Sequence, residues 1–131
     1  MSAGAAARIV AAMRRERISI EPPGTVVCED CGIARTPLSR MRGLMGRATL
    51  EPGEGLLLRP APSIHTFFMR FAIDVVFVDA EMSVLRVVSN LRPWRAAACR
   101  GARAALELPA GEARRRGVVT GRRLRVSEAV A

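Results

Sequence analysis

Two cysteines three residues apart, Cys28-Glu29-Asp30-Cys31, have the spacing of half a zinc knuckle. Thiolates so placed can hold one metal ion between them, but a structural zinc site takes four ligands. The remaining soft ligands are Cys99 and the single histidine, His65. They complete a set only if the fold gathers all four, so the pair is read as two incidental thiols at a hairpin. No metal and no cofactor is expected. A redox role has less support still, because no thioredoxin-like βαβ pattern surrounds the pair. His65 is the one side chain whose ordinary pKa suits proton transfer near neutrality. No serine or cysteine stands in a nucleophile elbow, and no Gly-rich loop is spaced to cradle phosphate. A lone histidine at a strand start is more often a hydrogen-bonded structural group, and no catalytic residue is assigned.

The charged residues at apolar margins are the better candidates. Asp74 enters the run Ile73-Asp74-Val75-Val76-Phe77-Val78, where a buried carboxylate must find a partner. Glu107 lies between Leu106 and Leu108 and so faces away from them on a strand. Arg42 falls at the edge of the helical stripe Leu38, Met41, Met45, whereas Arg40 and Arg47 fall opposite. An ion pair between Arg42 or Arg70 and Asp74 or Glu107 is expected, structural in the first instance. Arg42, Arg47, His65, Met69, Arg70, Asp74 and Glu107 together form the candidate binding cleft.

These residues need a scaffold, and 131 residues supply one domain. Aromatics are scarce, with four Phe, one Trp and no Tyr, so aliphatic side chains must build the core. The net charge of +9 suggests a polyanion partner at first sight. All 21 basic residues are arginines, however, which is what a GC-rich coding sequence yields throughout a proteome. The two arginine clusters, 114–116 and 122–125, contain no aromatic for base stacking and are read as solvated. An odd cysteine count is no disulfide framework and fits a reducing cytoplasm. No apolar run approaches the roughly 20 residues of a membrane span.

Punctuation by Gly and Pro divides the chain. Residues 1–24 read as a flexible Ala/Arg-rich extension ending at Pro22-Pro23-Gly24, with a marginal helix over 5–17. Residues 25–126 read as one β-rich domain and 127–131 as a tail. Within the domain, Thr25–Cys28 and Ile33–Arg35 are expected as strands around a turn at 29–32. Thr36-Pro37 opens a helix, with Thr as N-cap and Pro at the first helical position. Further strands follow over 55–59, 64–69, 75–78, 83–89, 104–108 and 122–126, with one helical turn over 112–116. Seven or eight short strands and one or two short helices describe a mainly β (α+β) fold, a small barrel or sandwich.

Four segments also carry a resemblance. Arg42-Gly43-Leu44-Met45-Gly46-Arg47, Gly55-Leu56-Leu57-Leu58, Phe68-Met69-Arg70 with Ile73-Asp74-Val75-Val76-Phe77-Val78-Asp79, and Leu106-Glu107-Leu108-Pro109-Ala110-Gly111 occur in the order found in domain-of-unknown-function family 192. The chain resembles that family over about residues 25–126. The resemblance implies a compact β-rich fold and no settled activity or cofactor. Two departures stand out: Phe71-Ala72 replaces a longer stretch containing Asn, and Gly121-Arg122 stands where the family has Gly-Asp.

The function expected from these readings is a non-enzymatic binding or accessory domain for a small molecule or protein partner. The alternative is a small hydrolase using His65 with Asp74. A weak, sequence-independent nucleic-acid binder is a third reading, which requires arginines gathered on one face.

Overall fold

The computed structural model describes residues 14–36 and 44–128. Among them are nine strands: β1 (Arg14–Glu21), β2 (Val26–Ala34), β3 (Glu54–Leu58), β4 (Ser63–His65), β5 (Ile73–Val78), β6 (Val84–Leu91), β7 (Ala96–Ala98), β8 (Ala104–Pro109) and β9 (Arg123–Glu128). One short helix, α1 (Glu112–Arg115), follows β8. Seven strands form one sheet in the order β6-β5-β8-β3-β2-β1-β9, and β4 pairs with β7 in a separate ribbon. All neighbours are antiparallel except β2 and β3, which run parallel.

The sheet curls until its edges nearly meet. Ser83 bridges Arg123, and the Val84 and Leu124 amides donate to the Arg122 and Met82 carbonyls. No continuous ladder joins β6 to β9, so the β-rich domain is not closed into a barrel. Strand alternation creates two apolar layers. Ile18, Ile20, Ile33, Leu57, Val76, Leu106 and Leu124 pack inside the curl, with Ala113 of α1 and Val118 closing it. Leu56, Leu58, Ile73, Val75, Phe77 and Ala105 face outward and are covered by Leu44, Leu50, Ile64 and Met69. Residues of β5 are buried on both faces, which is why that run shows no polar alternation apart from Asp74.

Three features differ from the sequence reading. Arg14–Glu21 is a strand between β2 and β9, and Pro22-Pro23-Gly24 is its hairpin turn, so the composition shift there marks a turn and not the edge of the fold. Residues 1–13 lie outside the described residues. Glu29-Asp30-Cys31-Gly32 is no turn either: β2 runs unbroken, with a register slip against β1 between the Glu16–Cys31 and Ile18–Cys28 pairs. That bulge turns both cysteines into the inner core. The expected strand over 64–69 stops at His65. The helix expected from Thr36-Pro37 onward, with Arg42, falls mostly on residues 37–43, outside the described residues.

Candidate functional site

The Cys28–Cys31 pair is part of the packing. Both thiols are buried and reduced, and they touch each other. The Cys28 thiol and burial push Cys31 well above the ordinary thiol range, away from thiolate chemistry. Gly55 is the glycine this packing demands, since a Cβ there would lie 2.9 Å from Cys28 Sγ and 3.0 Å from the Glu107 carbonyl oxygen. His65 and Cys99 belong to the outer layer, so the fold does not gather the four soft ligands.

Asp74 is structural. Its register partner is Leu108, and both point inward. One carboxylate oxygen accepts the Gly111 and Ala113 amides, each at 3.0 Å, and the other accepts the Asn90 amide at 2.9 Å. The carboxylate therefore caps the first turn of α1, which Gly111 enters at φ 92°, a left-handed conformation suited to glycine. The expected pairing of Asp74 with an arginine is not what holds it: its acceptor sites go to main-chain donors. The His65–Asp74 dyad fails as well, because His65 is exposed on the outer ribbon and Asp74 is sealed inside the curl.

The arginine clusters read as solvated are partly engaged. The buried Glu112 carboxylate meets Arg115 at 2.9 Å and Arg116 at 3.1 Å. Arg116 also reaches Glu29 at 2.7 Å and the Val26 carbonyl at 3.0 Å, tying α1 to β2. Hydrogen bonding to Arg116 holds Glu29 below the usual carboxylate range. Arg47 is likewise committed, to Glu54 at 3.2 Å.

Glu107 is the unusual group. It sits on β8 between Leu56 of β3 and Val75 of β5, both in the outer apolar layer. Burial pushes its carboxyl up to about 8, and no charge or hydrogen bond from a described residue offsets that penalty.

Over the same face lies a feature the sequence reading missed. Phe67, Phe68 and Trp94 are 40, 62 and 55% exposed, although large apolar rings usually seek the core. They form a connected array. His65 stacks on Phe67 at 4.8 Å, Phe67 on Trp94 at 5.8 Å, and Phe68 meets the Trp94 ring edge-on at 4.7 Å. Two of the rings hang from left-handed backbone, Phe68 at φ 65° and Trp94 also at φ 65°. Bulky residues adopt that region at a cost of about 1 kcal/mol or more.

Thr66 enforces the geometry. Its buried hydroxyl donates to the Arg92 carbonyl at 2.6 Å and accepts the Arg95 amide at 2.9 Å. Its own amide donates to the Arg95 carbonyl, while its carbonyl accepts the Trp94 and Met69 amides. The loops after β4 and after β6 are thereby locked together with their rings outward. Met69 turns the other way, into the outer core. Beside Phe68 opens a cavity of about 410 Å³ whose described lining is Met45, Gly46, Phe68 and Arg70. Its volume lies in the range of small-molecule sites. Of the candidate cleft, His65 and Arg70 border this surface, Met69 supports it, and Arg47 and Asp74 are engaged elsewhere. Arg42 lies outside the described residues. The legible signal was Phe67-Phe68: two adjacent large apolar residues on the expected strand cannot both face one core.

The sequence profile of DUF192 (uncharacterised ACR) matches residues 18–126, from within β1 into β9. The chain belongs to the DUF192 family. UPF0127 proteins of two archaea are similar in sequence. That of Pyrococcus abyssi is 41% identical over 69 residues, covering 48% of this chain and 56% of the relative. That of Thermococcus sibiricus is 37% identical over 84 residues, covering 60% and 54%. The chain spans about half the length of the curated relatives it matches. Two crystal structures share the fold with a TM-score of 0.78 each. One is a protein of unknown function from Novosphingobium aromaticivorans, 23% identical, with 88% of both chains covered. The other, from Sinorhizobium meliloti, described as a candidate transcription regulator, is 24% identical over 87% of this chain and 95% of its own. At these identities the likeness shows the fold alone. No helix among the described residues is long and apolar enough to cross a membrane.

Proposed function

We propose that this DUF192 protein is a non-enzymatic binding module whose site is the aromatic-rimmed outer surface around Phe68 and Trp94. The observation that carries the reading is the left-handed backbone at both residues. Two strained positions hold apolar rings largely in solvent, where they lose burial. A ligand that covers the rings recovers that loss. The cavity beside Phe68 supplies depth, and Arg70 supplies charge at its wall. We place the module in the cytoplasm, in keeping with three unpaired cysteines.

A thermal-shift panel of metals, sugars, nucleotides and short nucleic acids tests this, because a ligand of the native state raises its melting temperature. At least one organic class should raise the melt of the native protein and not that of a Phe68→Ala/Trp94→Ala variant. A ligand that stabilises both proteins equally would place the site elsewhere.

A further inference from the structure

The two segments that carry the aromatic array and the elements next to it are one-sided in charge. Residues 60–73 and 83–106, which carry the ribbon, both locked loops and β6, contain six arginines, and Asp, Glu and Lys do not occur among them. Arg70, Arg86, Arg92, Arg95, Arg100 and Arg103 are all exposed. None pairs with a carboxylate of a described residue; the pairs that form involve Arg15, Arg47, Arg115, Arg116 and Arg125. A coding bias explains why these residues are arginine and not lysine. It does not explain why the acids, which pair with arginines elsewhere in the chain, are absent from these two segments.

We infer that the outer surface binds single-stranded nucleic acid without sequence preference, a reading that rests on the proposed site and names its ligand. Bases present π-faces at regular intervals along a flexible anionic backbone. Stacked rings take the faces and guanidinium groups take the phosphates. Here His65, Phe67, Trp94 and Phe68 succeed one another at 4.7–5.8 Å. Arg92 and Arg95 flank Trp94 in sequence, and Arg70 lines the cavity that Phe68 borders. A duplex hides its base faces and offers the rings nothing to stack on. An anionic membrane satisfies the arginines, but rings packed on one another are partly covered, whereas insertion into lipid favours rings that project separately. A neutral sugar leaves the arginines unused.

The test uses the full chain and a labelled oligothymidylate of about twelve nucleotides, within the span of one small β domain. Binding is read by anisotropy and by the emission of Trp94, the sole tryptophan. The strand should quench Trp94. Phe67→Ala/Phe68→Ala should weaken binding about tenfold or more, given the worth of base–aromatic stacking. Trp94→Phe, which keeps a ring face, should retain most of the affinity by anisotropy. Arg92→Ala/Arg95→Ala should flatten the slope of log affinity against log salt by about 1.4, at about 0.7 for each phosphate that is no longer neutralised. Circular dichroism verifies that each variant folds, as exposed side chains permit.

Oligothymidylate binding that the aromatic variant leaves unchanged would overturn the inference, and so would duplex or heparin binding of equal strength. Phosphatidylglycerol vesicles or cellohexaose that move Trp94 emission where the oligonucleotide does not would replace the ligand and keep the site. Self-association that depends on Phe68 and Trp94 would overturn it in favour of a second copy of the chain. Trp94 emission that no probe moves would remove both the ligand and the site.

Discussion

Asp74 and Glu107 stand on neighbouring strands, one register step apart, and both are almost wholly buried. Asp74 faces the inside of the curl and accepts three main-chain amides. Glu107 faces outward between Leu56 and Val75, with burial alone setting its acidity. On the inner face, then, the buried Asp74 and Glu112 carboxylates each help fix a neighbouring element. The outer face holds a carboxyl without a described partner, rings in solvent and arginines without acids. It is on this mismatch among the described residues that the proposed binding site rests.

The largest effect should come from breaking the inner face at β1. A chain beginning at Gly24 lacks Ile18 and Ile20, both buried, and separates β9 from β2. Each isoleucine contributes about 1.5–3 kcal/mol, and the detached β9 takes Leu124 with it. That total is comparable with the whole stability of a small domain. The truncated chain should show no cooperative melt. A melting temperature within a few degrees of the full chain would mean that the sheet closes without β1.

Next in size is Asp74→Ala. It leaves three amides without their acceptor and uncaps α1, a loss of about 3–5 kcal/mol in denaturant melts at pH 7. Asp74→Asn retains one carbonyl oxygen and should fall between. Arg100→Ala, at an exposed position outside these contacts, supplies the baseline.

Much of this division was legible in sequence. The apolar runs of β5 and β8 placed Asp74 at the head of one strand and Glu107 within another, and Leu106 and Leu108 fixed the side from which Glu107 points away. What stayed hidden was the partner of each carboxylate. Gly111 and Ala113 lie 37 and 39 residues from Asp74, and main-chain donors have no residue type to betray them. β1 was hidden for a related reason: Arg15, Glu16 and Arg17 read as part of a flexible extension, yet Arg15 meets Asp30 at 2.7 Å across the β1–β2 pair. The aromatic array escaped because Phe67 and Trp94 lie far apart in the chain and are brought into contact by the bonds Thr66 makes between their loops.

The third prediction separates the carboxylates by pH. Glu107 titrates at about 8 when folded and near 4.5 when unfolded. Between those values the folded state holds a proton that the unfolded state has released, so stability falls as pH rises. The contribution is fully present below about 4.5 and lost by about 8, a change on the order of a few kcal/mol. Glu107→Gln removes the titration. Its stability should vary less with pH across this window and exceed that of the native protein at pH 8. A native curve that Glu107→Gln reproduces would show that Glu107 ionises freely, and the contrast between the two faces would lose its chemical half.

The smallest effect is a sign reversal at the exposed rings. Phe68→Ala and Phe68→Gly both delete a ring that is mostly in solvent and touches Trp94 edge-on. At an ordinary position glycine is less stable than alanine by about 0.5–1 kcal/mol, because the unfolded chain gains freedom. At φ 65° the order inverts. Alanine keeps the left-handed strain of about 1 kcal/mol, and glycine releases it. Phe68→Gly should therefore match or exceed Phe68→Ala in stability. Phe67 does not share the positive φ, so Phe67→Gly should fall below Phe67→Ala there, as at most sites. Differential melts of the four variants resolve the interaction between site and substitution. The same order at both positions would mean that the loop relaxes once the ring is gone, and that Phe68 is held outward by its own packing on Trp94. The inverted order would locate the strain in the backbone that Thr66 pins, as a surface preorganised for a ligand requires.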